Sequence, residues 1–333
     1  MSADASERTS AGDSTSAAPS AESIVSKLGL ATVIFAALAI LPLFASVIGD
    51  SFLLVIATRI MIFAIAALSL DLILGYGGMV SFGHAAFIGI GAYAVGILAR
   101  AGVTDYALQA LAAISAAGLF ALVTGAISLR TKGVYFIMIT LAFGQMAFFF
   151  MVSLSVYGGD DGLTIAARST LAGVPVFRSD LTFYYVVFAL LLAFFLLVRT
   201  IIASRFGRVL RGIHDNTERM RAIGFSPLPY QLAAYCIAGA VAGIAGTLLA
   251  NQTEFVSPAY MSWQRSGDLI FMVMLGGMGT LIGPIVGAAG LLLLEELLPG
   301  ISEHWKLGLG VILILVVLFS RGGITGLLRG RDG

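Results

Sequence analysis

GYGGMVSFGHAAFIGIGA, residues 75–92, decides how this chain folds. It lies between two apolar runs, yet it gives up helix-favouring residues for glycines, a serine and a histidine. In hydrocarbon every backbone amide needs a partner, so irregular backbone survives only inside protein or beside a watery path. The stretch therefore points to a route for a polar solute across a bilayer. The rest of the sequence agrees that lipid is part of the solvent. Of 333 residues 59% are hydrophobic and 11% charged, with a mean hydropathy of +1.00. So few charges cannot coat a water-soluble body of this size.

A helix that crosses the hydrocarbon needs about 20 apolar residues. Ten segments qualify, at 28–48, 52–74, 82–99, 106–129, 134–156, 181–203, 230–250, 268–282, 285–298 and 305–319. The eighth and ninth are short and meet at GGMGTLIGP, residues 276–284, as half-helices or one broken pair. The expected fold is all-α: a polytopic transmembrane bundle of eight to ten spans with broken, glycine-rich helices. Lys and Arg in the connections set the orientation. With the N-terminus inside, 12 of the 19 fall inside, five fall outside, and Arg59 and Arg199 lie within spans. That places both termini in the cytoplasm. Residues 1–27 are expected to be a disordered cytoplasmic tail, because the first 23 are polar and Ser/Ala-rich without a secretory signal pattern. Residues 28–320 form the membrane domain, and 321–333 a second cytoplasmic tail.

Two connections are long. Residues 157–180 are external and carry Gly158, Gly159, Asp160 and Asp161. Residues 204–225 are internal and read as one amphipathic helix. Ser204 can cap it, and Phe206, Leu210, Ile213, Met220 and Ile223 form an apolar stripe. Arg211–Asp215 and Asp215–Arg219 are spaced to pair. Gly224, Pro227 and Pro229 stop it. Such a helix docks into a protein groove or lies on anionic lipid. Its mixed polar face suits the groove.

The remaining polar groups have two readings each. His84 either closes the glycine turn with a structural hydrogen bond or serves a relay with Asp71 on the preceding span. Asp71 stands close enough to the cytoplasmic end to be wet. Gln145 bonds a solute or a neighbouring helix. Arg59 needs a partner or must snorkel, and Glu295 and Glu296 reach external water. Asn251, Gln252 and Glu254 greet a solute or end a helix. The pairs Gly239/Gly243, Gly279/Gly283 and Gly283/Gly287 let helix backbones approach closely. The breaks at 75–92 and 276–290 lie in the two halves of the chain, as interruptions at a transporter's repeat interface do.

Several classes are excluded. No Walker A, HExxH, GxSxG or CxxC pattern occurs, so no catalytic residue, metal site or bound cofactor is expected. A single cysteine, Cys236, allows no internal disulfide. A net charge of +1 implies no nucleic acid partner. If ATP drives transport, another chain must hydrolyse it.

Three stretches together resemble the permease subunits of branched-chain amino acid ABC importers. They are LGYGGMVSFGHAAFIGIGAYAVGIL at 74–98, TKGVYFIMITLAFGQM at 131–146, and FGRVLRGIHDNTERMRAIGFSP at 206–227. LGGMGTLIGPIVGA at 275–288 fits as well. The resemblance spans about residues 50–320. It implies a type II ABC-importer-like permease in the bacterial inner membrane, not an enzyme. It implies two ABC ATPase subunits, a second homologous permease chain, a periplasmic solute-binding protein and surrounding lipid as partners. It makes Gly77, Gly78, Ser81, Gly83, His84 and Gln145 candidates for the translocation path. It makes Gly207, Arg211, Asp215, Glu218 and Gly224 candidates for coupling to the ATPase. Met79 and Gln145 depart from the family, which often has glutamine or leucine at the first position and glutamate at the second. Relatives with similar patterns carry urea, short amides or aromatic acids. An ion-coupled carrier or a channel are the rival classes, and neither needs the internal helix.

Overall fold

The computed structural model describes residues 21–48, 51–300, 304–319 and 323–328. Its helices follow the apolar runs closely. In chain order they are α1 (Ala21–Ile48), α2 (Ser51–Leu74), α3 (His84–Arg100), α4 (Tyr106–Ser128), α5 (Val134–Ser153), α6 (Asp180–Ala203), α7 (Arg205–Asp215), α8 (Thr217–Ala222), α9 (Pro227–Thr253), α10 (Trp263–Gly276), α11 (Gly283–Leu297), α12 (Trp305–Phe319) and α13 (Gly323–Leu328). Among the described residues six helices are long and apolar enough to cross a membrane. The remaining expected spans, α1, α3, α10 and α12, are shorter or less apolar within the described residues.

Helix α9 is the hub, packed against α2, α3 and α4. Ala234, Ala238, Ala242 and Ala245 on it are fully buried. A β-carbon on Gly239 would press on Ala121 at 2.8 Å, and one on Gly243 on Ala117 at 2.9 Å. These two glycines are packing residues, as small-xxx-small spacing implies. Gly279/Gly283 is not such a pair. Gly279 lies in a turn and only Gly283 is helical, so the two share no helix face.

Helix α1 shows how a proline is carried inside a span. Pro42 has no N–H to give the Leu38 carbonyl four residues earlier. The Tyr184 hydroxyl of α6 donates to that carbonyl at 2.6 Å. An orphaned carbonyl in lipid costs several kcal/mol, so the tyrosine removes the penalty.

Three details add to the expectations. Residues 21–27, placed in the N-terminal tail, belong to α1, and residues 1–20 lie outside the described residues. The AESIVSKL run favours helix and extends α1 beyond its apolar part. Residues 323–328, placed in the C-terminal tail, form α13. Its Thr325 donates to the Gly276 carbonyl at 2.7 Å, at the C-terminal end of α10. The remainder of that tail lies outside the described residues. The fold also contains one short antiparallel pair, β1 (Leu163–Thr164) with β2 (Phe255–Val256), in register Leu163 with Val256.

That pair ties the long loop, residues 157–180, to the α9–α10 connection at the end of the bundle opposite α7 and α8. Arg168 fastens the loop, reaching Asp180 at 2.6 Å and Glu254 at 3.2 Å. Asn251 Oδ1 accepts from the Ser169 amide at 2.8 Å. Asn251 is thus a buried loop anchor within α9, and Glu254 ends that helix with a φ of 53°.

Candidate functional site

Helix α2 ends at Leu74 and a turn covers residues 75–77. The chain then runs without regular structure through 78–81 and starts α3 at His84. It does not stay at the surface. His84 Nε2 meets Ser69 Oγ of α2 at 2.9 Å, five residues before that helix ends, or about 7.5 Å along its axis. The Phe82 amide donates to Thr140 Oγ1 of α5 at 3.3 Å, six residues into that helix. The first glycine break is therefore re-entrant, and α3 begins inside the bundle.

Several amides of the break have named acceptors: those of Gly78 and Met79 donate to the Leu74 and Ile73 carbonyls of α2 at 3.1 and 2.8 Å. The Ala85 amide, in the first turn of α3, donates to Ser266 Oγ of α10 at 3.0 Å. A β-carbon on Gly83 would collide with the Thr140 carbonyl, so only glycine lets the two backbones meet. Ser69 gives its one proton to the Ala66 carbonyl at 2.7 Å. His84 Nε2 must then carry the hydrogen it shares with Ser69, and Nδ1 is left as a bare acceptor. His84 is thus hydrogen-bonded to α2, and its ring stands edge-on to Phe87 at 5.4 Å.

Asp71 does not pair with His84, and it is not wet. It is fully buried, and its Oδ1 accepts from the Gly279 amide at 2.9 Å. A buried carboxylate is tolerable only with such a partner. Gly279 belongs to the second glycine break, between α10 and α11. A β-carbon on Gly75 would strike both Asp71 Oδ1 and the Gly279 amide. The two glycine breaks, roughly 200 residues apart, thus touch through one aspartate.

The internal connection is two helices, not one. Asn216 interrupts it with φ −158° and ψ 97°, and its side chain caps α8 by accepting from the Arg219 amide at 2.9 Å. Asparagine favours such a cap over a helix interior. The expected Arg211–Asp215 and Asp215–Arg219 pairs do not form. Arg211 Nη2 instead donates to the Ile202 carbonyl at 3.0 Å, and Arg208 Nη1 to the Ala203 carbonyl at 3.2 Å. Both arginines cover the orphan carbonyls at the end of α6. Ser204 caps α7 as expected, its Oγ accepting from Gly207. Gly207 sits where a side chain would strike Ile201 and Ile202, so it serves the α6–α7 corner. Leu210 and Ile213 are buried and Met220 nearly so, whereas Ile223 is exposed and leaves the stripe. Gly224, at φ +94°, closes α8. The Gly224 amide bonds Arg221 O and the Phe225 amide bonds Met220 O, the double bond of a Schellman end.

These helices meet the first glycine break directly. A β-carbon on Gly78, which has φ +67°, would stand 2.5 Å from Cδ2 of His214 on α7. Sequence reading missed His214, because a polar residue on an amphipathic helix carries no signal of what lies above it. Around this contact is a cavity of about 510 Å³, bordered by Gly77, Gly78, Arg130, Lys132, His214 and Arg221 among others. Glu218 edges the same region, reaching Arg221 at 3.1 Å and Lys132 at 3.9 Å. Asp215 is exposed. Of the six path candidates, Gly77 and Gly78 border the cavity. Ser81, Gly83 and His84 are buried in the bundle, and Gln145 is half-buried on α5.

Broken apolar helices joined to an amphipathic helix pair describe a multi-pass α-helical membrane permease. The comparisons name its family. The model of the branched-chain amino acid transport system permease component matches residues 52–318, and the chain belongs to that family. It is 29% identical over 301 residues to the high-affinity branched-chain amino acid transport system permease protein LivM of Salmonella typhimurium strain LT2, covering 82% of this chain and 70% of that protein. LivM of Escherichia coli strain K12 gives the same figures. A probable LivM of Methanocaldococcus jannaschii is 27% identical over 285 residues, covering 75% and 82%. No solved structure matches it. The chain is a permease subunit of an ABC importer and not an enzyme. ATP hydrolysis belongs to partner subunits, and a binding protein delivers the solute.

Proposed function

We propose that this permease carries branched-chain amino acids inward across a bacterial inner membrane, with both termini in the cytoplasm and about ten spans. Two ATPase subunits, a second homologous permease chain and a periplasmic binding protein complete the importer. The α7–α8 pair is the grip for an ATPase. ATP-driven movement of that grip reaches the first glycine break through His214 on Gly78 and opens or closes the path beside it. The contact of His214 with Gly78 is the observation that carries this reading. It links the amphipathic α7–α8 pair to the re-entrant backbone of the first glycine break. The path itself needs only weak complementarity, because a tight site would retain the cargo.

The test is uptake of labelled L-leucine by the assembled importer in proteoliposomes. Uptake is expected to require ATP and the binding protein, and to ignore a proton gradient. Asp215→Lys reverses an exposed charge that makes no ion pair among the described residues. It is expected to abolish co-purification of the ATPase while leaving the permease folded. Uptake driven by a gradient without ATP, or uptake of urea in place of leucine, overturns the reading.

A further inference from the structure

The end of the bundle opposite α7 and α8 holds a second cavity, of about 520 Å³. Arg59, Gln252, Thr253 and Arg265 supply its polar side, and Phe63 and Leu249 part of its apolar side. In the proposed orientation it opens outward, on the side where solute arrives. Arg59 lies within α2, where a guanidinium facing lipid is costly. No ion pair among the described residues includes it. Its Cζ stands 5.9 Å from the Phe63 ring centroid. Arg265 pairs with Asp268 at 3.3 Å. Glu295 of α11 is close enough to interact electrostatically with Asp268, Arg265 and Arg59. Gln252 Nε2 donates to the Val55 carbonyl at 2.8 Å, and its Oε1 is buried with no hydrogen-bond partner among the described residues.

Two guanidinium groups and one spare acceptor line the cavity, and the carboxylates Asp268 and Glu295, outside that lining, offset the positive charge. A lone cation or anion gains nothing from such balance, but a zwitterion matches it at both ends. A guanidinium binds a carboxylate through two parallel N–H bonds. A cavity of this volume falls in the range that holds small ligands. We propose that the outer cavity is the first station of the solute in the membrane. There Arg59 takes the carboxylate of an α-amino acid, and Gln252 Oε1 takes its ammonium. Arg265, already held by Asp268, adds positive potential. This inference rests on the reading of the chain as an amino acid permease.

The test uses the assembled importer in proteoliposomes with Val55→Cys at the cavity rim and Cys236→Ala to remove the native thiol. The rate of labelling by a membrane-impermeant maleimide reports occupancy. L-leucine is expected to slow labelling, and leucinamide, which lacks the carboxylate, is not. Arg59→Gln is expected to weaken protection about tenfold, the effect of one charged hydrogen bond. Arg59→Lys should retain part of it. Equal protection by leucinamide, or unchanged protection in Arg59→Gln, overturns the site. Protection that follows the anionic lipid content of the vesicles marks a phosphate headgroup and also overturns it. Leucine uptake without protection removes this site and leaves the permease reading standing. No leucine uptake in the unsubstituted importer removes both.

Discussion

The two glycine breaks answer the same physical demand in different ways. Both leave backbone amides and carbonyls without helical partners inside an apolar bundle. The second break, Gly277–Ile282, is tied to its neighbours by the Gly279 amide on Asp71 of α2, but much of it is held from within. Thr280 Oγ1 donates to the Gly277 carbonyl at 2.7 Å and accepts from the Gly283 amide at 3.1 Å. The first break satisfies itself across the bundle, through Thr140 on α5, Ser266 on α10 and Ser69 on α2. It also lies under His214. A self-satisfied turn stays as it is when neighbours shift. A break held by three other helices changes when they do. The difference makes the second break a fixed point and the first a responsive one.

That contrast can be broken by substitution. The largest effect is expected from Gly83→Val, which forces a side chain into the Thr140 carbonyl. Overpacking of this kind costs about 1–3 kcal/mol or more. The folded yield and the unfolding temperature of the purified permease should both fall. Next comes Asp71→Ala, which strips the Gly279 amide of its acceptor and should cost about 1–3 kcal/mol. Asp71→Asn keeps an oxygen there and should stay near the unsubstituted unfolding temperature. If the two variants unfold alike, the breaks are not tied through this contact.

Gly78→Ala sharpens the comparison differently. The left-handed backbone and the His214 ring together should cost about 1–2 kcal/mol. Uptake is expected to fall while ATPase binding persists. Adding His214→Ala should restore part of the uptake, because the new methyl group then has room. Thr280→Val should have the smallest effect, about 1 kcal/mol in thermal unfolding with uptake per folded molecule unchanged. A transport defect there exceeding that of Gly78→Ala would reverse the assignment of fixed and responsive parts.

Much of this fold was legible because lipid imposes a simple rule. Apolar runs such as 106–129 and 305–319 map onto α4 and α12 almost residue for residue. The Asn216 break was missed, although Asn-Thr-Glu begins a helix better than it continues one. What could not be read is contact at a distance. Nothing near Asp71 in the chain signals that its partner is a glycine amide 208 residues away. Nothing in RGIHDN signals that the histidine covers Gly78. The placement of His84 was half-read: a structural hydrogen bond was one of its two readings, but its partner, Ser69 on α2, was not foreseen.

One consequence lies in the joint at Asn216. Arg208 and Arg211 bolt α7 to the end of α6, so those two helices swing as a single beam. The six-residue α8 joins that beam through the extended Asn216, with the Thr217 hydroxyl donating to the Ile213 carbonyl of α7 at 3.0 Å. A torque on α8 is therefore absorbed first by an elbow, and only the surplus turns the beam. Small jostling of α8 would leave the pore region at rest, whereas a full stroke would carry through, giving the assembly a mechanical threshold.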